Sequence, residues 1–398
     1  MIPADVAVGG QVEVLALIDH FVLGGAETLL ARFAAAAGEA GIRLQVACLQ
    51  ELDGNPAAAP LHAMGISPVN LGIYGPARLR ALRTVRRHIE DVGPQIVHTH
   101  LGTSDVLGGV AASSLRIPVV STIHASQWDG RAVALRRKLV KHCATRVIAV
   151  SERARSEYLR RGFATERQIV TIHNGIDFPA AAGAGAELRR ELGLGAEDFV
   201  VGMVSALRPE KGHDVALDGI RILSARFPSL RLLVVGQGDL RTEIERRAQE
   251  LGGAVVVAGL RQDLPRVFDA LDVLLQPSRA DAFPTSILEA MAASVPVLAS
   301  AVGGIPEIIR DGETGVLITP PPEAGRLASA LAALLEDPGR RARLATAGHR
   351  LYVDRFTAGP WVRQTRALYD TVLADRKRSR GARADLPLAI AERSTLPR

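Results

Sequence analysis

Short runs rich in valine, isoleucine and leucine recur along the chain, separated by segments of helical length. In the first half they occupy residues 12–19, 43–50, 95–100, 118–124, 146–151 and 168–177. In the second half they occupy residues 199–207, 230–238, 254–259, 272–278, 296–302 and 315–320. Continuous apolar strands that alternate with helices are typical of parallel sheets covered on both faces. The pattern therefore predicts an α/β protein with two doubly wound domains that face a central cleft.

The link between the two series sets the predicted domain boundaries. Residues 178–198 begin with an Ala/Gly-rich stretch that is typical of an interdomain connection. We therefore predict a first domain over residues 1–178 and a second over 179–360. Residues 361–377 place apolar side chains on one helical stripe and predict a final amphipathic helix. Residues 378–398 show no sustained period and are expected to be disordered.

Composition narrows the class of protein. The chain has 398 residues and is 47% hydrophobic, enough for two domains with large cores. Its two cysteines, Cys48 and Cys143, stand beside apolar runs and are expected to be the buried, reduced thiols of a cytoplasmic protein. No apolar stretch reaches the roughly 20 residues that span a bilayer, and the N-terminus lacks the basic and apolar regions of a signal peptide. We expect a soluble cytoplasmic chain, or one that lies on a membrane surface.

Positive charge is concentrated in the first half. The net charge is +6, but residues 78–167 alone carry 17 Lys and Arg against 7 Asp and Glu. Two basic helical segments, 78–90 and 131–142, supply much of this excess. One interpretation is a peripheral contact with anionic lipid on the inner face of the cytoplasmic membrane, since each Lys or Arg near such a surface adds about 1 kcal/mol to the free energy of membrane binding. The other is two ordinary surface helices; a nucleic-acid partner is not expected.

Two carboxylates flank a predicted helix start in the stretch 279–300. A helix that begins near Thr285 directs unpaired N–H groups and its positive dipole end at the preceding loop, which favours a phosphate there. Glu289 lies four residues further on the same helix face, where its carboxylate could bind the two hydroxyls of a ribose. Asp281 lies before the turn, where a transferred group would sit. The alternative is that Glu289 only complements the helix dipole and Asp281 is a surface acid.

Cations and glycines follow two other predicted strands. Arg208 and Lys211, in "RPEKG", come directly after a strand. The planar guanidinium of an arginine and the compact ammonium of a lysine together suit the two phosphates of a diphosphate. Gly24 and Gly25 follow the first strand, and glycines there let the backbone approach a ligand closely. Each feature has a simpler interpretation. Arg208 and Lys211 could be solvated cations around a proline turn, and Gly24 and Gly25 could be ordinary turn residues.

Together these features resemble the retaining glycosyltransferases of family 4, which have the GT-B fold of two Rossmann-like domains. The resemblance covers nearly the whole chain. It is carried by Gly24-Gly25-Ala26-Glu27, "TIHA" with His124, "HNGID" (173–177), "RPEKG" (208–212), "GQGDLR" (236–241) and the segment from Asp281 to Glu289. The combination of "RPEKG" with two acids eight positions apart is the most specific part. In this fold the C-terminal helix is expected to cross back to the first domain.

The resemblance implies roles for individual residues. Arg208 and Lys211 would stabilise the charge that develops on the diphosphate leaving group, and Glu289 would hold the ribose. His124 would lie beside the donor sugar; taken alone, it could equally be a buried histidine at the end of a strand. Asp281 and the backbone of Phe283, Pro284, Thr285 and Ser286 would bind the sugar hydroxyls and the phosphates. Gly24 and Gly25 would approach the diphosphate, and the loop with Arg261 would line the base.

One position departs from the family pattern. The first acid of the pair is usually Glu, whereas this chain has Asp281, whose carboxylate is one methylene closer to the backbone. The sugar preference that the family would imply is therefore open. Neither the acceptor nor the sugar follows from any residue of the sequence.

The resemblance implies a retaining enzyme that moves a sugar from a nucleotide-sugar donor, UDP-linked by preference, to a hydroxyl of a carbohydrate or lipid-linked acceptor in bacterial envelope synthesis. No cofactor or metal is expected, because the chain has no Asp-x-Asp, and basic side chains and helix N-termini would replace the ion. The absence of GxGxxG and GxxxxGK[ST] argues against a dinucleotide oxidoreductase and a P-loop NTPase. The alternatives are another GT-B reaction, such as nucleotide-sugar epimerisation, and a non-catalytic nucleotide-sugar-binding protein.

Overall fold

The computed structural model of the protein describes residues 10–21, 25–51, 58–74, 78–100, 102–124, 132–179, 181 and 183–384. Within these ranges the chain forms one parallel sheet of seven strands and a second of six, both covered by helices. This architecture confirms the predicted fold class.

The first sheet has the strand order β3-β2-β1-β4-β5-β6-β7, and all its neighbours run parallel. Its strands are β1 (Val12–Phe21), β2 (Ile42–Glu51), β3 (Val69–Asn70), β4 (Ile96–His100), β5 (Val119–Ile123), β6 (Arg146–Ala149) and β7 (Ile169–Thr171). The helices between them are α1 (Gly25–Ala37), α2 (Ala59–Ala63), α3 (Arg78–Val92), α4 (Gly102–Ser114), α5 (Ala132–Cys143) and α6 (Glu152–Arg161). Every residue of β4 and β5 is buried, because helices cover both faces of the sheet.

The second sheet has the order β10-β9-β8-β11-β12-β13 and is also parallel throughout. Its strands are β8 (Phe199–Val204), β9 (Leu230–Val235), β10 (Val255–Gly259), β11 (Val273–Gln276), β12 (Val297–Ser300) and β13 (Val316–Ile318). Its helices are α7 (Gly185–Glu191), α8 (His213–Leu223), α9 (Arg241–Glu250), α10 (Leu264–Asp269), α11 (Thr285–Ala292), α12 (Ile305–Ile308), α13 (Ala324–Glu336) and α14 (Pro338–Arg355).

The last helix, α15 (Ala358–Ala384), returns to the first sheet. Its residues Val362, Leu368, Tyr369 and Val372 are buried in the same apolar cluster as strand β1. The guanidinium of Arg366 donates to the carbonyls of Ala40, Gly41 and Gly10, at 2.7–2.9 Å. The expectation that the final helix crosses back is therefore confirmed. The helix begins three residues before the predicted start at 361 and ends seven after 377; residues 385–398 of the predicted tail lie outside the described ranges.

Two expectations from composition can be compared with the structure. Neither cysteine forms a disulfide within the described part of the chain; Cys48 is buried, while Cys143, at the end of α5, is only partly buried. Among the described residues, no helix is long and apolar enough to cross a membrane.

Candidate active site

The site forms at the point in each sheet where the strand order reverses. In the first sheet this point lies between β1 and β4, and in the second between β8 and β11. Ligands of doubly wound sheets bind beyond the carboxyl ends of the strands at such points. Gly25, the first residue of α1, comes after β1 in the chain, the turn with Arg208 and Lys211 follows β8, and Asp281 follows β11. Residues that lie far apart in the chain therefore reach one cleft.

The turn after β8 directs Lys211 at Asp281. Pro209–Lys211 form a single 3-10 turn that ends at Gly212, whose φ is +73°. A Cβ on Gly212 would lie 2.0 Å from the carbonyl oxygen of Pro277, so only glycine fits this close approach. Lys211 Nζ lies 2.7 Å from Asp281 Oδ2. Arg208 is exposed beside it, with no ion pair to any residue that the structure describes.

Asp281 is held by three donors on one oxygen. Lys211 Nζ, Gln276 Nε2 and Ser278 Oγ lie 2.7, 3.1 and 3.3 Å from Oδ2. The side chain is 8% exposed, and within the described part of the chain no hydrogen bond reaches Oδ1. The short carboxylate is therefore rigidly placed with one oxygen left to accept. Sequence reasoning missed Gln276 and Ser278, although two polar residues at the end of an apolar strand were a visible signal.

Helix α11 begins at the cleft without a side-chain cap. Pro284 occupies the N-cap position, and because its side chain has no acceptor atom, no side chain caps the first turn. Thr285 is partly exposed, whereas Ser286 is buried and donates to Gln276 Oε1 at 3.2 Å. Phe283 is buried and stacks on His173 with ring centroids 5.1 Å apart, so only its backbone faces the loop. The uncapped N–H groups of this turn can bind an anion.

Glu289 lies one turn further along α11 and contacts the other domain. Its side chain is 5% exposed and its Oε1 accepts from Arg32 Nη2 of α1 at 2.5 Å. The residue predicted to hold a ribose thus already has a cationic partner. The ribose role stays a prediction.

His124 is partly buried and lies just after β5, in a group of three histidines with the buried His98 and His100 of β4. Its Nε2 lies 3.2 Å from His100 Nδ1, and His100 stacks on His98 with ring centroids 4.2 Å apart. His98 also lies 2.5 Å from the hydroxyl of Tyr369 of α15 and 2.7 Å from that of Thr122. Burial lowers the pKa of His98 to about 3 and that of His124 to about 4, and the pKa of His100 is also well below its usual value. At neutral pH His124 is therefore an uncharged hydrogen-bonding group, and sequence reasoning did not anticipate its neighbours.

Gly25 and Arg261, two other residues predicted to contact the donor, differ in how accessible they are to a ligand. Gly25 is exposed, and a Cβ built on it would have open space around it, so a ligand could approach; Gly24 lies outside the described residues. Arg261 donates to both oxygens of Asp263 and to Glu191, each at 2.8 Å. Those carboxylates, Asp263 first, raise the pKa of the Arg261 guanidinium. Its role towards a base stays a prediction, and the guanidinium is already engaged.

A glycine pair after β12 supports the site and was also missed. Gly303 has φ +54°, and a Cβ there would lie 1.6 Å from the carbonyl oxygen of Asp281. Gly304 N donates to that same oxygen at 3.2 Å. The backbone of Asp281 therefore rests directly on this loop, and only a glycine leaves room for it.

The same loop leads to a contact between the domains. Glu307 of α12 accepts from the backbone N–H groups of Glu152 and Arg153, at the start of α6, and lies 2.8 Å from His173 Nε2. Carboxylates are stabilised at helix N-termini by the dipole and the free N–H groups. This contact ties the second domain to the first beside the stacked pair of His173 and Phe283.

Comparisons with known proteins agree with this arrangement. The family model described as Glycosyltransferase Family 4 matches residues 23–178, and the one described as Glycosyl transferases group 1 matches residues 186–351. The D-inositol 3-phosphate glycosyltransferase of Mycolicibacterium vanbaalenii is 32% identical over 315 residues, which cover 71% of this chain and 68% of that protein. The chain belongs to the GT-B glycosyltransferases of family 4. It is therefore an enzyme of the transferase class.

Further relatives and several solved structures are also similar to this glycosyltransferase. The protein of the same name from Mycobacterium tuberculosis F11 is 30% identical over 310 residues, which span 62% of its length; for that of Mycobacterium marinum the match spans 52%. Among solved structures, Anabaena Alr3699/HepE in complex with UDP and glucose superposes with a TM-score of 0.78 at 22% identity, over 94% of this chain and all of that one. WaaG, a glycosyltransferase involved in lipopolysaccharide biosynthesis, superposes with a TM-score of 0.71 at 18% identity, over 89% and 99%. At these identities the structures show a shared fold.

Proposed function

We propose that this glycosyltransferase is retaining and metal-independent and moves a sugar from a UDP-sugar to an acceptor hydroxyl. The observation that carries the proposal is the arrangement around Asp281. There the ammonium of Lys211 contacts Asp281, and Gln276 links Asp281 to Ser286 in the uncapped first turn of α11. The exposed Arg208 lies in the same turn as Lys211, at the point where the strand order of the second sheet reverses. These groups supply the positive charge that a diphosphate needs.

The proposed reaction follows from these charges. The bond between the sugar C1 and the diphosphate oxygen breaks while Lys211 and Arg208 stabilise the leaving phosphate. The acceptor oxygen bonds to C1 on the same face, and its proton passes to the departing phosphate oxygen. No strong carboxylate base is needed in this scheme. Asp281 Oδ1 would accept a hydrogen bond from a sugar hydroxyl, and the neutral imidazole of His124 would accept or donate one. Glu289 would bind the ribose.

The donor and acceptor are proposed from the relatives. Two solved structures with the same fold contain UDP with glucose and UDP-glucose, which supports a UDP-sugar donor. The related mycobacterial enzymes are named D-inositol 3-phosphate glycosyltransferases, and WaaG is described as involved in lipopolysaccharide biosynthesis. We therefore propose a carbohydrate or lipid-linked acceptor and a role in bacterial envelope synthesis.

A donor panel with product analysis tests this proposal. UDP- and GDP-sugars are first compared by thermal shift, and the donors that bind are incubated with candidate acceptors. We expect a new glycoside by mass spectrometry whose anomeric configuration, measured by NMR, matches that of the donor. An inverted anomer would contradict retention. An isomerised donor would indicate epimerisation, and binding without any product would indicate a binding protein.

Chelation should leave the enzyme active. Because side chains and a helix N-terminus neutralise the diphosphate in the proposed site, initial rates with excess EDTA should stay within about twofold of the untreated rate. The measurement is product formation by enzyme dialysed against EDTA, with and without added magnesium or manganese. A rate that EDTA abolishes and either ion restores would contradict the metal-independent scheme.

The first domain also offers a surface suited to anionic lipid. Tyr74, four residues before α3 in the sequence, and Leu79, the second residue of α3, are 60% and 73% exposed. The arginines that follow on the exposed face of the same helix are Arg80, Arg83, Arg86 and Arg87. Apolar and aromatic side chains beside basic ones are typical of segments that lie at a membrane interface. We propose that this surface holds the enzyme near a lipid-linked acceptor.

Reversal of three of these charges should release the enzyme from vesicles. Arg80, Arg83 and Arg87 are replaced with Glu, and Arg86 is kept because it pairs with Glu90 at 3.0 Å. At about 1 kcal/mol for each basic residue, the variant should stay in the supernatant while the wild type sediments with phosphatidylglycerol vesicles at low salt and is released at high salt.

The control has the same charge change on the other domain. Arg190, Arg310 and Arg343 are replaced with Glu, because they are exposed and form no ion pair shorter than 3.9 Å with any described residue. This variant should sediment like the wild type. If wild type and the α3 variant are recovered equally in the supernatant at low salt, a soluble acceptor is the better account.

A further inference from the structure

An ion pair joins the two domains directly behind the proposed nucleotide site. Arg32 lies about two turns into α1 and Glu289 about one turn into α11, and both helices begin at the cleft. The side chains are 17% and 5% exposed. Leu29, one turn before Arg32, is buried in the same apolar cluster as residues 287 and 288 of α11. The pair therefore sits in a packed contact between helices rather than on the surface.

The pair leaves one donor and one acceptor unmet. Arg32 Nη2 bonds to Glu289 Oε1, while Arg32 Nη1 is buried and has no hydrogen-bond partner. Glu289 Oε2 accepts no hydrogen bond from any residue that the structure describes. A buried donor without a partner is costly and rare in folded proteins. A ribose diol, whose hydroxyls both donate and accept, has the complementary chemistry.

We propose that Arg32 is a positioning residue for ribose recognition. It holds Oε1 of Glu289 and provides the counter-charge, so that Oε2 is presented to the ribose hydroxyls. This inference rests on the proposed ribose role of Glu289. It adds that the hydroxyl selectivity of a nucleotide site in the second domain depends on a side chain of the first.

Nucleotide selectivity gives a readout that a merely structural role would not move. The dissociation constants of UDP and 2′,3′-dideoxy-UDP are measured by calorimetry with the full chain. If the wild type binds GDP instead, the guanosine pair is used. Hydrogen bonds to a charged group favour the ribose form by about 10–100-fold. In Arg32→Gln we expect this ratio to fall to about threefold or less, because UDP affinity falls and dideoxy-UDP affinity does not.

Two further variants complete the test. Arg32→Lys keeps the charge but not the planar fork and should give an intermediate ratio. Arg32→Lys also replaces Arg32→Gln as the test variant if thermal unfolding shows that Arg32→Gln is unstable. Arg43→Gln removes another first-domain arginine, which pairs with Glu13 at 3.4 Å on the surface, and should keep the wild-type ratio.

The outcomes separate this inference from the function it rests on. A wild-type ratio in both Arg32 variants, or an equal loss of affinity for both nucleotides, overturns the inference while Glu289→Gln still lowers the ratio. A wild-type ratio in Glu289→Gln overturns the ribose role of Glu289 itself, and with it the reason for Arg32 to act there. A reduced ratio in Glu289→Gln and in Arg32→Gln supports both.

Discussion

Lys211→Ala should lower kcat by about 10²-fold or more. The ammonium lies 2.7 Å from Asp281, in the loop that leads to the uncapped start of α11, where negative charge would grow on the leaving phosphate. An interaction that strengthens in the transition state acts on kcat more than on donor KM. We therefore expect a large loss of turnover with a modest change in KM. Arg208→Ala should act in the same direction.

The measurement needs a control for the loss of a cation in general. Arg226 is an exposed second-domain arginine that pairs with Glu336 away from the cleft, and Arg226→Ala should leave turnover unchanged. Lys211→Ala also frees Asp281 Oδ2 from its cation, so its thermal unfolding is measured alongside. Turnover near the wild-type value in a folded Lys211→Ala protein would contradict the assignment.

Gly303→Ala should be among the most damaging single-methyl changes in the second domain. The new Cβ would lie 1.6 Å from the carbonyl oxygen of Asp281, and the residue has φ +54°. The loop must move, which displaces Asp281 and the turn before α11. We expect a loss of about 3 kcal/mol or more in the free energy of unfolding, together with loss of turnover.

A matched glycine separates the collision from the backbone strain. Gly312 has φ +73°, yet a Cβ there would meet no atom within 4 Å. Gly312→Ala should therefore cost only the strain of about 1–2 kcal/mol and keep turnover. The two variants are compared by chemical denaturation and by donor kinetics. Equal stability loss with equal turnover would contradict the packing of Gly303 against Asp281.

The sequence by itself determined the fold class and predicted which strand ends carry the candidate site residues. Strands buried on both faces must read as apolar runs, so the alternation with helices was visible without any tertiary information. The loops that follow β1, β8 and β11 carry Gly25, Lys211 and Asp281, because parallel strands place their carboxyl ends at one edge. The return of the last helix came from the family resemblance, and buried Tyr369 confirms it.

The tertiary structure alone decided what each of these side chains contacts. Arg32 and Glu289 are 257 positions apart, and no local period encodes such a pairing. The pairing of Lys211 with Asp281 depends on how the ends of β8 and β11 are placed, and the requirement for glycine at 303 depends on a carbonyl 22 residues earlier. Local patterns report how a segment is buried. Contacts between segments depend on the packing of both, which only the folded chain defines.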